Sequence, residues 1–396
     1  MIRDWQMSEL TAQTAAPQRD LRLDFFRGLA LWLIFIDHIP DNIVSWFTVR
    51  NYGFSDAAEI FVFISGYSAA IAYARVMQND GFVVASARIL KRVWQLYFAF
   101  VLLLTAFFVQ IAYVARTFEN PLFAEEMNII ELLRHPDAAL PMALTLQFNP
   151  ANMDILPVYI VLLLVFPAML WLLLRQPTLA LMASLSLYVA AGIFDWHFTA
   201  QPQGYWVINP LRWQLLFNFG AWCALGGAQQ LRRLIRSPVT LAGALGVLLF
   251  AFFIVRSWYY PWLGTFKPGW MHELLYPIDK TNLDPLRFVH FLAFALLVAR
   301  WVPPDWQGFR ITAAQPVMLC GRHSLEIFCL GVFLSSAGHF LITETSGGWP
   351  TQIAVSITGL AIMVLTAAWL AFLKDFDRRH IAGGRCPDAD IAGGYA

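Results

Sequence analysis

The sequence is poor in charge. Only 13% of its 396 residues are Asp, Glu, Lys or Arg, and the formal net charge is +1. Soluble domains carry about 25% charged residues, so an ordinary soluble enzyme is excluded. So is a disordered chain, which needs high charge and low hydrophobicity. A nucleic-acid binder is excluded by the missing basic excess. Cysteine is equally sparse. Cys223, Cys320, Cys329 and Cys386 form no CxxC pair, so neither a disulfide framework nor a zinc site is expected, and no metal enters the reading. Met1 to Ala16 has no apolar core. No cleavable signal peptide is expected there, and the first membrane helix is expected to act as an uncleaved signal. There is no low-complexity segment and no internal repeat.

What the chain has in abundance is apolar length. Residues of the AVILMFWYC set make up 59%, with 33 Phe and 16 Trp. A membrane helix needs about 20 mostly apolar residues. Ten such runs are expected, at about 24–44, 56–77, 93–115, 154–174, 178–194, 213–231, 239–257, 285–302, 321–342 and 351–373. The fold class is thus an all-α integral membrane protein, a polytopic bundle of about ten transmembrane helices. One membrane domain covers 24–373, between tails at 1–23 and 374–396.

The connecting segments sort by charge. One side collects 18 of the 27 Lys and Arg residues, among them Arg22, Arg27, Arg88, Arg92, Arg232, Arg236 and Lys374. The other side holds eight, and Arg322 is unassigned. The positive-inside bias predicts that both termini and tails are cytoplasmic. Three long loops, 116–153, 195–212 and 258–284, then face outward. They are rich in Trp, Tyr, Pro and Asn, as in Trp258-Tyr259-Tyr260-Pro261-Trp262. Such rings serve either as interfacial belts or as stacking platforms for sugars.

Ionisable groups inside a membrane are costly and mark functional sites. The first span opens with Asp24 and Arg27 and ends with Asp37, His38, Pro40 and Asp41. Arg27 and His38 are eleven residues apart, close to three helical turns, and so share a face. A His can take a proton from a hydroxyl and return it to a leaving group. Asp37 or Asp41 would orient it, and Asp41, one turn on, is the better placed on a helix. Alone, such a His is more often interhelical glue; with the two acids and the proline beside it, it is the candidate catalytic group. Asp56 and Glu59 open the second span, Asp56 as a helix cap and Glu59 one turn deeper. Ser65 and Tyr67 follow as cavity donors. Arg88 and Arg92 stand at i,i+4 beside Lys91, where guanidinium forks suit phosphate. Asp154, Arg212 and Lys280 sit in polar clusters at the entrances to the fourth, sixth and eighth spans, where each is either a capping group or the lining of an outward cavity. Arg322 lies within reach of donor phosphates on the inner side.

The segment LDFFRGLALWLIFIDHIPDN resembles the opening helix of the membrane acyltransferase-3 superfamily. That superfamily's usual proline after the basic pair is Gln95 here, and its customary late His is absent near Leu330. DAAEIFVFISGYS, DILPVYIVLL, NPLRWQLLFNFGAW, DKTNLDPLRFVHFLA and GRHSLEIF together resemble the OpgC family of inner-membrane glucan succinyltransferases, over nearly the whole chain. The resemblance implies transfer of a succinyl group from cytoplasmic succinyl-CoA to hydroxyls of a periplasmic glucan. The enzyme would sit in the bacterial inner membrane, without a permanently bound cofactor. His38 would be the base or acyl carrier, supported by Asp37 or Asp41. Arg27, Arg88, Arg92 and Arg322 would hold the donor. Asp24, Glu59, Ser65, Tyr67, Asp154, Arg212 and Lys280 would line the acceptor side and cavity, with Lys280 also able to pair with the succinyl carboxylate. The expected partners are succinyl-CoA, the glucan and lipid, with no nucleic acid; the oligomeric state is open. Acylation of another envelope polysaccharide and polytopic transport are the competing functions.

Overall fold

The computed structural model describes residues 20–120, 122–148, 150–201 and 204–383, with side chains to 377. Most of the two expected tails, with Cys386, lies outside the described residues. Among those described, the fold is all helical apart from one isolated bridge, Phe148 to Gln201.

Eleven helices carry the architecture: α1 (Leu21–Asp37), α2 (Ala57–Asn79), α3 (Gly81–Thr117), α4 (Ile155–Arg175), α5 (Pro177–Ile193), α6 (Pro210–Trp222), α7 (Pro238–Tyr259), α8 (Pro285–Trp301), α9 (Ala314–Arg322), α10 (Ser324–Thr343) and α11 (Trp349–Gly383). Each expected span overlaps at least one of them. Six are both long and apolar enough to cross a membrane: α2, α3, α4, α7, α10 and α11.

Local chemistry sets where helices begin. Asn209, Ser237 and Asp284 cap α6, α7 and α8, and each is followed by proline at the first helical position. The cap satisfies an orphan amide, and proline needs none. Asp56 and Glu59 form a reciprocal capping box on α2.

Three expected spans differ from the observed helices. The first helix stops at Asp37, so Pro40 lies beyond it and kinks nothing; two short 3-10 turns, Ile43–Phe47 and Val49–Asn51, replace the rest. The sixth breaks after Trp222 into a π-segment, Cys223–Gly227, where Gly226 takes φ +104°. The ninth is interrupted at His323, which divides α9 from α10.

Burial separates centre from edge. The apolar windows of α2, α4 and α10 are 56% buried, whereas those of α7 and α11 are 22% buried and present the rest of their surface outward. In lipid, apolar surface gains nothing by meeting apolar surface, so helices associate by close packing and polar contacts. Both appear here. α1 crosses α9 at Gly28 and Gly321, where an added Cβ on either would run into the other helix's backbone. α2 crosses α6 in the same way at Gly66 and Gly220. Between α5 and α6, Ser184 Oγ donates to Gln214 Oε1 (2.6 Å), and Asn218 Nδ2 donates to the same oxygen (2.7 Å).

α1 starts, α10 starts and α11 ends at one end of the bundle. There Arg322 meets Asp24 (3.4 Å), and Lys374 approaches His323 (3.3 Å). This is called the Asp24 end below, and the opposite one the His38 end.

Gly28→Val overpacks a backbone-to-backbone crossing and is expected to cost upwards of about 3 kcal/mol. Gly246→Ala, in an open position on α7, should instead be neutral or slightly stabilising. Thermal unfolding of the two purified variants in one detergent checks the contrast.

Candidate functional site

Two cavities in the bundle bear on the expected site residues. The larger, about 500 Å³, opens at the His38 end. It falls within the roughly 300–1,000 Å³ typical of ligand pockets. His38 sits just beyond the end of α1 on its wall. The His38 Nδ1 is buried and has no hydrogen-bond partner among the described residues. Burial, reinforced by the Lys280 ammonium, pushes this imidazole down to about 3, so it stays neutral across the physiological range. Asn152 Nδ2 reaches the His38 carbonyl at 3.5 Å and ties the chain before α4 to this point.

Asp154, at the cap position of α4, lines the same cavity. Its Oδ1 is also buried and unpartnered among the described residues. Burial pushes its carboxyl up to about 7 against the pull of Lys280. Asp37 completes the acidic lining and accepts from Thr48 Oγ1 at 2.6 Å. Asp41 does not join it. It is exposed, with φ +54°, because the helix has already ended. The one-turn relation between His38 and Asp41 therefore fails, and Asp37 is the acid of this pair that shares the cavity with His38.

A buried ion cluster forms the cavity's side. Arg287 Nε donates to Glu59 Oε1 (2.8 Å), and Arg287 Nη2 reaches Asp56 Oδ2 (3.2 Å). Lys280 Nζ donates to Asp56 Oδ2 (2.7 Å). Glu59 Oε2 accepts from the Asp56 amide (2.8 Å). Burial alone would raise the Asp56 carboxyl, but Lys280 and Arg287 hold it well below the usual range. Two carboxylates thus face two cations, and each charge lost from water has a partner. Glu59 is fully buried, so it acts as a strut rather than as an exposed acceptor contact. The cluster ties α2 to α8. Behind it, Ser55 Oγ and His290 Nδ1 lie 2.7 Å apart.

The rim is aromatic. Trp258 and Tyr259 line the cavity. Tyr259 OH donates to Asn51 Oδ1 (2.9 Å). Beside them Arg256 lies over the rings of Trp46, Tyr52 and Phe252 at 5.2, 4.6 and 5.4 Å. Of the aromatics in the three long connecting segments, these two reach the site; Tyr205 and Trp270 are exposed and away from it.

The smaller cavity, about 180 Å³, lies toward the Asp24 end. Arg27 and Arg92 line it with Ser65, Ser68, Tyr73 and Tyr159, and no carboxylate does. Arg27 donates to Ser68 Oγ, and Arg92 Nη1 donates to Gln95 Oε1 (3.1 Å). The shared face of α1 holds: Arg27 reaches one cavity, and Ile34 and His38 reach the other.

Several expected site residues lie elsewhere. Arg88 is exposed and pairs with Asp80 (3.3 Å), because the basic turn sits well inside the long helix α3 and points outward there. Arg322 pairs with buried Asp24, and neither lines a cavity. Asp24 therefore belongs to the Asp24 end and not to an acceptor surface. Ser65 lies in the smaller cavity, not the larger. Tyr67 packs near Phe63 outside both. Arg212 stacks on Tyr188 (4.2 Å) and donates to the Asn282 carbonyl (2.7 Å), bracing the loop before α8. Arg50, Thr48 and Phe328 carry no functional signal in the sequence. Arg50 and Thr48 sit in a loop whose 3-10 turns have no periodic signature, and Phe328 looks like any core ring.

Among the described residues no group of three or more His, Cys, Asp or Glu is placed to hold a metal ion. A family model described as OpgC protein matches residues 19–375, nearly the whole chain. No curated protein and no solved structure matches it.

Arg287→Ala strands two buried carboxylates and is expected to cost about 3–5 kcal/mol. Lys280→Ala, which removes a half-exposed partner, should cost under about half of that. Thermal unfolding of the two variants in the same detergent measures the difference.

Proposed function

The chain belongs to the OpgC family, and on that premise we propose that it transfers a succinyl group from succinyl-CoA to hydroxyls of a periplasmic glucan. One observation carries the reading. A neutral imidazole with a buried, unpartnered nitrogen stands in a sugar-sized cavity, on the same helix face as an arginine in a second, acid-free cavity. The two cavities suit two substrates of opposite character.

The small cavity suits the donor's acyl end. Arg27 and Arg92 supply two guanidinium groups for an anionic ligand. At about 180 Å³ it holds the thioester end of a coenzyme and not the nucleotide. That part would stay at the surface, on the side where the basic residues gather and where the positive-inside rule puts the cytoplasm. The large cavity suits the acceptor. Trp258 and Tyr259 offer ring faces to a sugar, and Asp37, Asn51 and Asn152 offer hydroxyl partners. Lys280 is the contact for the succinyl carboxylate once the acyl group arrives.

In the transfer itself, the acceptor hydroxyl attacks the thioester carbonyl while its proton passes to His38. The C–S bond breaks, and CoA leaves as the thiol with that proton. A neutral base is needed at the start, and burial keeps His38 neutral. The imidazolium that forms is stabilised by a nearby carboxylate, and Asp154 is the group whose charge changes near neutrality. The burial that keeps the imidazole neutral also weakens it as a base, so the step depends on that carboxylate.

Mass spectrometry of periplasmic glucans tests the function in cells making wild-type protein, His38→Ala protein at equal abundance, or none. Succinyl increments only with wild type are expected. Unmodified glucans in every strain would discard the glucan reading and direct the search to other envelope polysaccharides. Equal succinylation with His38→Ala would leave the reaction and remove His38 from it.

The pH profile tests the division of labour. The Asp154 carboxyl is neutral below about pH 7 and charged above it. If the charged form supports the imidazolium, kcat/KM rises as pH climbs through 7. Asp154→Asn should flatten that limb and lower the plateau at least tenfold. A limb that survives in Asp154→Asn would assign it to another group.

A further inference from the structure

The two cavities share one wall residue, Phe328, which is 2% exposed. The helices on either side run past both. On α2, Ala58 lines the large cavity, while Phe61, Ser65, Ser68 and Ala72 line the small one. These positions recur at helical spacing and form a single face. That face is built from small residues at every level except one, Phe61. α4 divides at the same level, with Ile155 on one side and Leu156 on the other. The Phe61 and Phe328 rings face each other at 5.9 Å between centroids, tilted by 31°. The pair thus lies between two linings that together run from Arg27 to His38, about 16 Å along α1 at 1.5 Å per residue.

We propose that Phe328 and Phe61 are a movable septum between two halves of one cleft, and that the acyl end of the donor reaches His38 by displacing it. What crosses rests on the function proposed above; that there is a barrier does not. An aromatic pair suits the task. It offers no polar partner to water, so a file of water cannot bridge the two cavities. It is held by ring contacts, which the two methylenes of an entering succinyl group can replace. A helix break, where a hinge could act, lies next to it. The α9–α10 helix breaks at His323, one turn before Phe328, where the backbone adopts φ −113° and ψ 41°.

Thiol accessibility in the full-length protein tests the septum. The four native cysteines are replaced by alanine. Ser65→Cys then reports on the small cavity and Asn152→Cys on the large one. Membrane vesicles of both orientations are treated with sulfonatoethyl methanethiosulfonate, a small anionic reagent that does not cross bilayers. With both rings present, each cysteine should be labelled from one side only, and from opposite sides. Phe328→Ala should speed labelling of Ser65→Cys from the His38 side at least tenfold. Phe61→Ala and Phe328→Leu provide the same opening should that variant not accumulate. Two-sided labelling with both rings intact would overturn the proposal, as would unchanged labelling in every ring variant. The readout needs no catalysis. A barrier without glucan succinylation removes only the assigned cargo, and succinylation without a barrier removes only the septum.

Discussion

One wall of the larger cavity is an ion cluster of two buried carboxylates, a buried guanidinium and a half-exposed ammonium. Asp56 and Glu59 at the start of α2 face Lys280 and Arg287 at the entrance to α8. Any one of these groups alone would be too costly to keep away from water. Together they form a rigid polar wall that apolar packing cannot collapse, and that wall holds the cavity open beside His38. The same carboxylates cap α2, so one set of side chains starts a helix, joins it to another and shapes the site.

Around this wall the molecule separates two kinds of chemistry along its long axis. Toward the Asp24 end the lining is cationic and narrow. Toward the His38 end it is mixed in charge, wider and rimmed by rings. α1 passes both, and its face supplies a guanidinium at one level and an imidazole at the other. On the proposed function, a thioester and a hydroxyl brought from opposite sides would meet beside His38, whose Nδ1 has no partner among the described residues.

Much of this was legible in the sequence, and the reasons differ by residue. Apolar length marks most helices of the bundle but not the separate α9, and it misses the breaks after Asp37, Trp222 and Arg322. The spacing of Arg27 and His38 puts them on one face, because the helix runs unbroken from Arg27 to its cap at His38. Clusters such as Asp279 to Arg287 announced a polar entrance, yet not that Lys280 and Arg287 would turn back onto α2. That pairing is between residues over 220 positions apart, and no local rule carries it. Asp41 misled because the helical one-turn relation was extended past the point where α1 ends. Arg88 misled because a basic turn suits phosphate and equally suits a solvated helix surface, which is where it lies. Phe328 gave no signal at all: its role comes from what lies on either side of it.

The crossings at Gly28 with Gly321 and at Gly66 with Gly220 have a consequence for how this chain can vary. Most packed positions tolerate change by exchange, a larger residue here offset by a smaller one opposite. These four have no side-chain volume to exchange. Backbone already meets backbone, so a gain on one helix cannot be matched by a loss on its neighbour. The cavity walls can be remodelled by compensated pairs, and with them the substrates admitted. The two crossings can change only if whole helices move apart, which would shift α1 and α2, the helices that carry His38 and the ion cluster.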